Sequence, residues 1–136
     1  MRAYVISGPN NGAVSEVAEP EVGPRDLLIE VLRAGICGTD VEFFTGHMAY
    51  LDSGDAAFPL RIGHEWCGRV IGVGDRVDKK WMGKLVTSDT MLGCQSCVRC
   101  KTGYQYLCAE RDEVGVRRGF AGALAEKLVV PDFAVY

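Results

Sequence analysis

Four of the chain's six cysteines, Cys94, Cys97, Cys100 and Cys108, fall in the short run C-Q-S-C-V-R-C-K-T-G-Y-Q-Y-L-C. Thiolates at the spacing C-x2-C-x2-C-x7-C can fold back around one soft ion, and four sulfurs in a tetrahedron make a closed structural zinc site. The spacing therefore predicts a zinc lobe over about residues 93–109 that braces the fold and performs no chemistry. Two other chemistries compete. An iron–sulfur protein could use Cys94–Cys108, because the bacterial ferredoxin run also begins C-x2-C-x2-C; that run closes with C-x3-C-P, whereas Ala109 follows Cys108 here. Two disulfides would require strained pairs between cysteines three apart, and nothing else in the chain points to secretion. Zinc is the preferred reading.

The remaining candidates are dispersed. Cys37 lies in G-I-C-G-T-D, where flanking glycines at a strand end let the backbone turn and leave the thiol reachable. Read alone, it is equally a small apolar residue in a turn. His64, one of two histidines, sits in R-I-G-H-E before Glu65 and after Gly63. By itself such a histidine reads as a satisfied polar residue.

The elements that must carry these residues are short and rich in turns, as the 17 glycines suggest. Arg2–Ser7 reads as a strand closed by the turn G-P-N-N-G, with Val14–Ala18 as its hairpin partner. Asp26–Ala34 carries apolar residues on both faces and reads as a central strand leading to Cys37. Thr39 or Asp40 can cap a short helix over Val41–Phe44. Further strands are expected at Gly68–Gly74, Lys84–Ser88 and Leu124–Val130, the last ended by Pro131. The fold class is mainly β.

At 136 residues the chain suits one domain, and 48% hydrophobic with 24% charged residues is ordinary for a globular protein. A net charge of −3 gives no electrostatic footprint for nucleic acid. The opening apolar run is too short for a signal-peptide core and no window could cross a bilayer, so no membrane partner is expected. Cysteines used for metal rather than bridges point to a cytoplasmic setting.

Taken together, G-I-C-G-T-D, then G-H-E-W-C-G, then the four-cysteine run resemble the zinc-dependent alcohol dehydrogenases of the medium-chain dehydrogenase/reductase family, and the likeness runs on to G-F-A-G-A-L-A-E-K-L-V-V-P. The resemblance implies a GroES-like, partly open β-barrel with short helices. It implies that Cys37 and His64 bind a catalytic zinc, that Thr39 hands off the substrate proton, that Asp40 supports the zinc histidine, and that Glu65 stands near the metal. The implied reaction is oxidation of an alcohol, polyol or sugar, with zinc as Lewis acid and hydride passing to NAD or NADP. A homo-oligomer is the implied assembly. A non-enzymatic zinc-binding interaction module is the alternative, although a zinc ribbon needs two separated C-x2-C knuckles.

Departures from the family pattern shape the expectations. The Rossmann cofactor domain is missing: the nearest match, G-V-G-D-R-V at 72–77, has valine for the third glycine and reads as a turn. The resemblance thus implies an N-terminal catalytic domain, residues 1–136, of a longer dehydrogenase, inactive alone, with the third catalytic zinc ligand beyond residue 136. Cys67 reads as a small buried residue, pointing opposite to His64 on its strand. Glu42 stands where many relatives have a histidine in the proton relay, and is expected to face water or substrate. In the insert Gly46–Leu60, His47 is expected at a turn, and Phe43, Met48, Tyr50 and Phe58 either line the substrate pocket or pack in the core.

Overall fold

The computed structural model describes residues 1–136. The first hairpin, β1 (Arg2–Gly8) with β2 (Asn11–Glu16), reverses through Pro9 and Asn10, and Asn10 takes the left-handed φ of +55° that asparagine tolerates. β3 (Asp26–Ala34) follows and runs into α1 (Gly38–Thr45), which Gly46 ends at φ +81°. A one-turn helix, α2 (Ala49–Ser53), lies in the insert before β4 (Leu60–Arg61). The chain continues through β5 (Trp66–Val73), β6 (Leu85–Val86), β7 (Met91–Leu92), α3 (Val98–Lys101), β8 (Asp112–Glu113) and β9 (Lys127–Pro131). No helix is long and apolar enough to cross a membrane.

Three antiparallel sheets result, ordered β2-β1-β4, β6-β5-β3-β9 and β7-β8. They remain open. The two larger ones meet at a seam where Ala3 bridges Ala125 and the Tyr4 N–H donates to the Leu124 carbonyl. β3 is central in its sheet, as its pattern predicts, with β5 and β9 on either side. Only one of its faces is covered, however: Leu27 and Ile29 are buried, while Leu32 is exposed.

The core has two parts. Leu27, Ile29, Val70, Leu128 and Val130 meet across the four-stranded sheet. Ile6, Phe43, Ala56, Ile62 and Val116 form a smaller cluster, with Phe43 projecting from α1. Met48, Tyr50 and Phe58 pack against this second cluster, which resolves their role in favour of packing. Along β5, Trp66, Gly68 and Val70 are buried while Cys67, Arg69 and Ile71 are exposed. Cys67 is therefore exposed, contrary to the expectation of burial, because nothing covers the outer face of β5; its opposite sense to the buried positions was legible. G-V-G-D-R-V is a strand end and turn, with the Val77 N–H donating to Gly74.

Phe43 is fully enclosed, so Phe43→Ala is expected to cost about 3–5 kcal/mol in urea unfolding. A loss below about 1 kcal/mol would show that the second cluster is not a packed core.

Candidate metal centres

Cys37 is the N-cap of α1, reached directly from β3, and His64 and Glu65 occupy the turn between β4 and β5. The ligand atoms of Cys37, His64 and Glu65 all lie within 4.8 Å of one another. Two clamps bring these distant segments together. The Asp40 carboxylate accepts the Cys37 N–H at 2.9 Å through Oδ2 and the Gly63 N–H at 3.0 Å through Oδ1. The Gly35 N–H donates to the Glu65 carbonyl at 2.7 Å. A β-carbon at Gly35 would stand 2.6 Å from Glu65 Oε2, so glycine leaves room for that carboxylate.

Asp40 thus acts first on the backbone. His64 Nδ1 is buried without a hydrogen-bond partner, 3.8 Å from Asp40 Oδ1 and beyond hydrogen-bond length. Asp40 also occupies the first turn of α1, where its charge complements the helix dipole; the cap position itself belongs to Cys37, not to Thr39 or Asp40. Thr39 is half-buried in that turn, Glu42 is exposed on the same helix, and His47 is exposed just beyond it.

The turn carrying His64 is held by backbone crowding. Gly63 has φ +101°, and its carbonyl accepts the Ala123 N–H at 2.8 Å. A β-carbon at Gly115 would come within 2.5 Å of Gly63 O, and one at Gly122 would overlap the Ile62 carbonyl. Only glycines let these chains pass so closely behind the histidine. Gly122 of G-F-A-G-A and Gly115 upstream of it were the available signal for this contact.

In the second group, Cys94, Cys97, Cys100 and Cys108 also have all sulfurs within 4.8 Å of one another. Cys94 to Cys100 and Cys97 to Cys108 are each 3.9 Å between sulfurs. Those separations exceed the roughly 2.05 Å of a disulfide. They suit a tetrahedron with metal–sulfur bonds of about 2.3 Å, whose edges are about 3.8 Å. Sulfurs this close leave room for a single ion and not for a multi-iron cluster. N–H groups of Cys97 and Cys100 point at the sulfurs of Cys94 and Cys97, at 3.4 and 3.5 Å. Gly93 completes the cradle, since a β-carbon there would stand 2.6 Å from Cys100 Sγ.

The Ser96 hydroxyl, aided by backbone N–H groups, pulls Cys94 down to about 6. Burial, then the neighbouring Cys97 thiol, pushes Cys100 up to about 12. Four adjacent thiolates cannot coexist without a positive charge between them. Both donor sets therefore fit a zinc ion: sulfur-only and closed in the lobe, mixed in the Cys37 group.

Residues 23–136 match the alcohol dehydrogenase GroES-like domain, and the chain belongs to that family. It is 36% identical over 143 aligned positions to the L-threonine 3-dehydrogenase of Saccharopolyspora erythraea, covering all of this chain and 39% of that protein. Among solved structures, an alcohol dehydrogenase from Escherichia coli CFT073 complexed with NADH superposes with a TM-score of 0.88 at 29% identity. Galactitol-1-phosphate dehydrogenase from Escherichia coli gives a TM-score of 0.86 at 28% identity. Each covers 100% of this chain, which spans 37% of either solved protein.

Removing the Asp40 carboxylate strands the buried Gly63 N–H, at about 1–3 kcal/mol, and the half-buried Cys37 N–H at less. Asp40→Ala is expected to weaken zinc retention at Cys37 and His64 while the four-cysteine ion stays, as read by metal analysis after mild chelation. Equal retention at both groups would contradict the clamp.

Proposed function

We propose that this domain is the metal- and substrate-holding part of an NAD- or NADP-linked dehydrogenase that oxidises a small alcohol, polyol or sugar. On this reading residues 1–136 form one catalytic domain, and nucleotide binding belongs to a separate Rossmann unit of the longer enzyme. The observation that carries the proposal is the convergence of Cys37, His64 and Glu65 within reach of one ion. The relatives' names support the substrate class, since threonine and galactitol 1-phosphate each offer a carbinol carbon.

Cys37 and His64 would hold the catalytic zinc, with Glu65 as a third ligand inside the chain in addition to any from beyond residue 136. Bound zinc supplies Lewis acidity, as when it lowers the pKa of water from about 15.7 to about 7, on the order of 10 kcal/mol toward deprotonation. Thr39, two residues past Cys37 in the first turn of α1, would take up the substrate hydroxyl proton as its own hydroxyl proton moves on. Glu42, exposed on the same helix, would pass that proton to water in place of a histidine. Asp40 keeps the two ligand-bearing backbones at fixed separation, and the four-cysteine lobe holds a structural zinc. A cytoplasmic homo-oligomer acting on small molecules, with no nucleic-acid or membrane partner, completes the proposal. A zinc module without catalysis would leave the mixed donor group at Cys37 without a purpose.

In the intact dehydrogenase, Cys37→Ser is expected to abolish alcohol-dependent reduction of the nicotinamide while leaving the melting temperature and the lobe's zinc unchanged. Turnover at the parent rate would remove Cys37 and its group from the reaction.

A further inference from the structure

A polar cluster that none of the roles above uses joins the four-cysteine lobe to the Gly46–Leu60 segment. Its centre is Glu113 on β8, only 4% exposed. Glu113 Oε1 accepts from Arg111 Nε at 2.6 Å and from the Tyr50 hydroxyl at 3.1 Å. Arg111 reaches in two further directions, donating to the Cys108 carbonyl at 3.1 Å and to Tyr50 Oη at 3.1 Å. Arg117 extends the link by donating to the Arg111 carbonyl at 2.8 Å and to Asp55 Oδ1 at 2.8 Å. Its guanidinium also lies 5.8 Å from the centre of the Tyr50 ring. The Arg118 N–H donates to the Asp55 carbonyl at 2.7 Å. On the other side, β8 pairs with β7, which leads straight into Gly93 and Cys94.

The segment therefore has two kinds of support. Met48, Leu51 and Phe58 rest on the Phe43 cluster through apolar contacts, which are non-directional. Tyr50 and Asp55 are oriented by directional, charge-assisted bonds whose partners outside the segment are Arg111, Glu113 and Arg117, while Ser53 adds a local bond to Asp55. The buried Glu113 carboxylate is costly to strip of its partners, because left alone it keeps its desolvation penalty, whereas Arg111 is half-buried.

We infer that Glu113 is a positioning residue that transmits the order of the four-cysteine lobe to the Gly46–Leu60 segment. Closure of the lobe about its ion fixes the Cys108 carbonyl and Arg111; these fix Tyr50 and Asp55, and with them the segment that joins α1 to the turn carrying His64. The coupling is reciprocal, as any linkage between two ordering events must be. It rests on reading the lobe as a zinc site, and the test separates the two claims.

Hydrogen exchange of the zinc-loaded protein, followed by mass spectrometry over residues 49–56, reads the segment directly. Cys97→Ser, Glu113→Gln and the milder Tyr50→Phe should each accelerate exchange there on the order of tenfold, the scale of one lost charge-assisted hydrogen bond. The double variant Cys97→Ser/Glu113→Gln should be no faster than the faster single variant, because both changes interrupt one chain of contacts. Accelerations that multiply in the double variant, or parent-like exchange in both Glu113→Gln and Tyr50→Phe, would overturn the coupling. Zinc content of the same samples tests the lobe itself: Cys97→Ser should lose one equivalent, and retention of every ion would refute the lobe reading without touching the Glu113 contacts.

Discussion

The Asp40 carboxylate is 2% exposed, and it accepts one N–H from the residue that carries the candidate thiol ligand and one from the residue before the candidate histidine. A buried charge survives only when its lone pairs are occupied, so the two backbone donors are a condition of burying Asp40 at all. The same two bonds fix the start of α1 against the turn between β4 and β5. The β3–β5 ladder, ending at Ala34–Trp66 and the Gly35–Glu65 bond, brings the two segments side by side, and the Asp40 bonds then set Cys37 against the turn of His64. Asp40 also stands in the first turn of α1, so one carboxylate serves both the helix start and the neighbouring turn.

The two candidate metal centres use opposite designs around the same requirement for rigidity. In the lobe, four sulfurs approach from all sides and leave no place for another ligand. Gly93 removes the one side chain that would intrude on them. At Cys37, the donors are a thiol, an imidazole and an exposed carboxylate, grouped at the mouth of the sheets rather than sealed within a loop. Rigidity there is supplied by the backbone: the crossing of Gly63, Gly115 and Gly122 behind the histidine, and the Asp40 clamp beside it. The Glu113 cluster lies between these regions and gives the lobe a mechanical reason to exist beyond its own stability.

Much of this was legible in the chain because periodicity and metal-ligand spacing are local signals. The alternation from Asp26 to Ala34 gave β3 its observed limits, and the four-cysteine spacing gave the lobe. The pairing of Cys37 with His64 came from resemblance, since nothing local says that two residues so distant in sequence meet. Cys67 was misjudged because alternation tells which residues share a face and not which face the fold covers. Cys37 stands at the cap because α1 begins at Gly38, and Asp40, within the first turn, reaches back to the Cys37 N–H and across to that of Gly63, a tertiary contact that spacing alone does not show. Glu113, Arg111 and Tyr50 were unreadable as a cluster for the same reason: Tyr50 is some sixty positions from the other two, and nothing in the spacing joins an aromatic of the insert to charges after the four-cysteine run. Gly63 and Gly122 stand in R-I-G-H-E and G-F-A-G-A, but nothing local in either motif says that the two backbones cross, and Gly115 lies outside both.

The most direct measurement of the central claim, that one closed and one mixed zinc place exist in this chain, is X-ray absorption at the zinc edge on the reduced, zinc-reconstituted protein. The account predicts two kinds of near neighbour, sulfur at about 2.3 Å and lighter nitrogen or oxygen at about 2.0–2.2 Å, with sulfur in excess. A shell of sulfur alone, or a protein that takes up no zinc once its thiols are reduced, would contradict it.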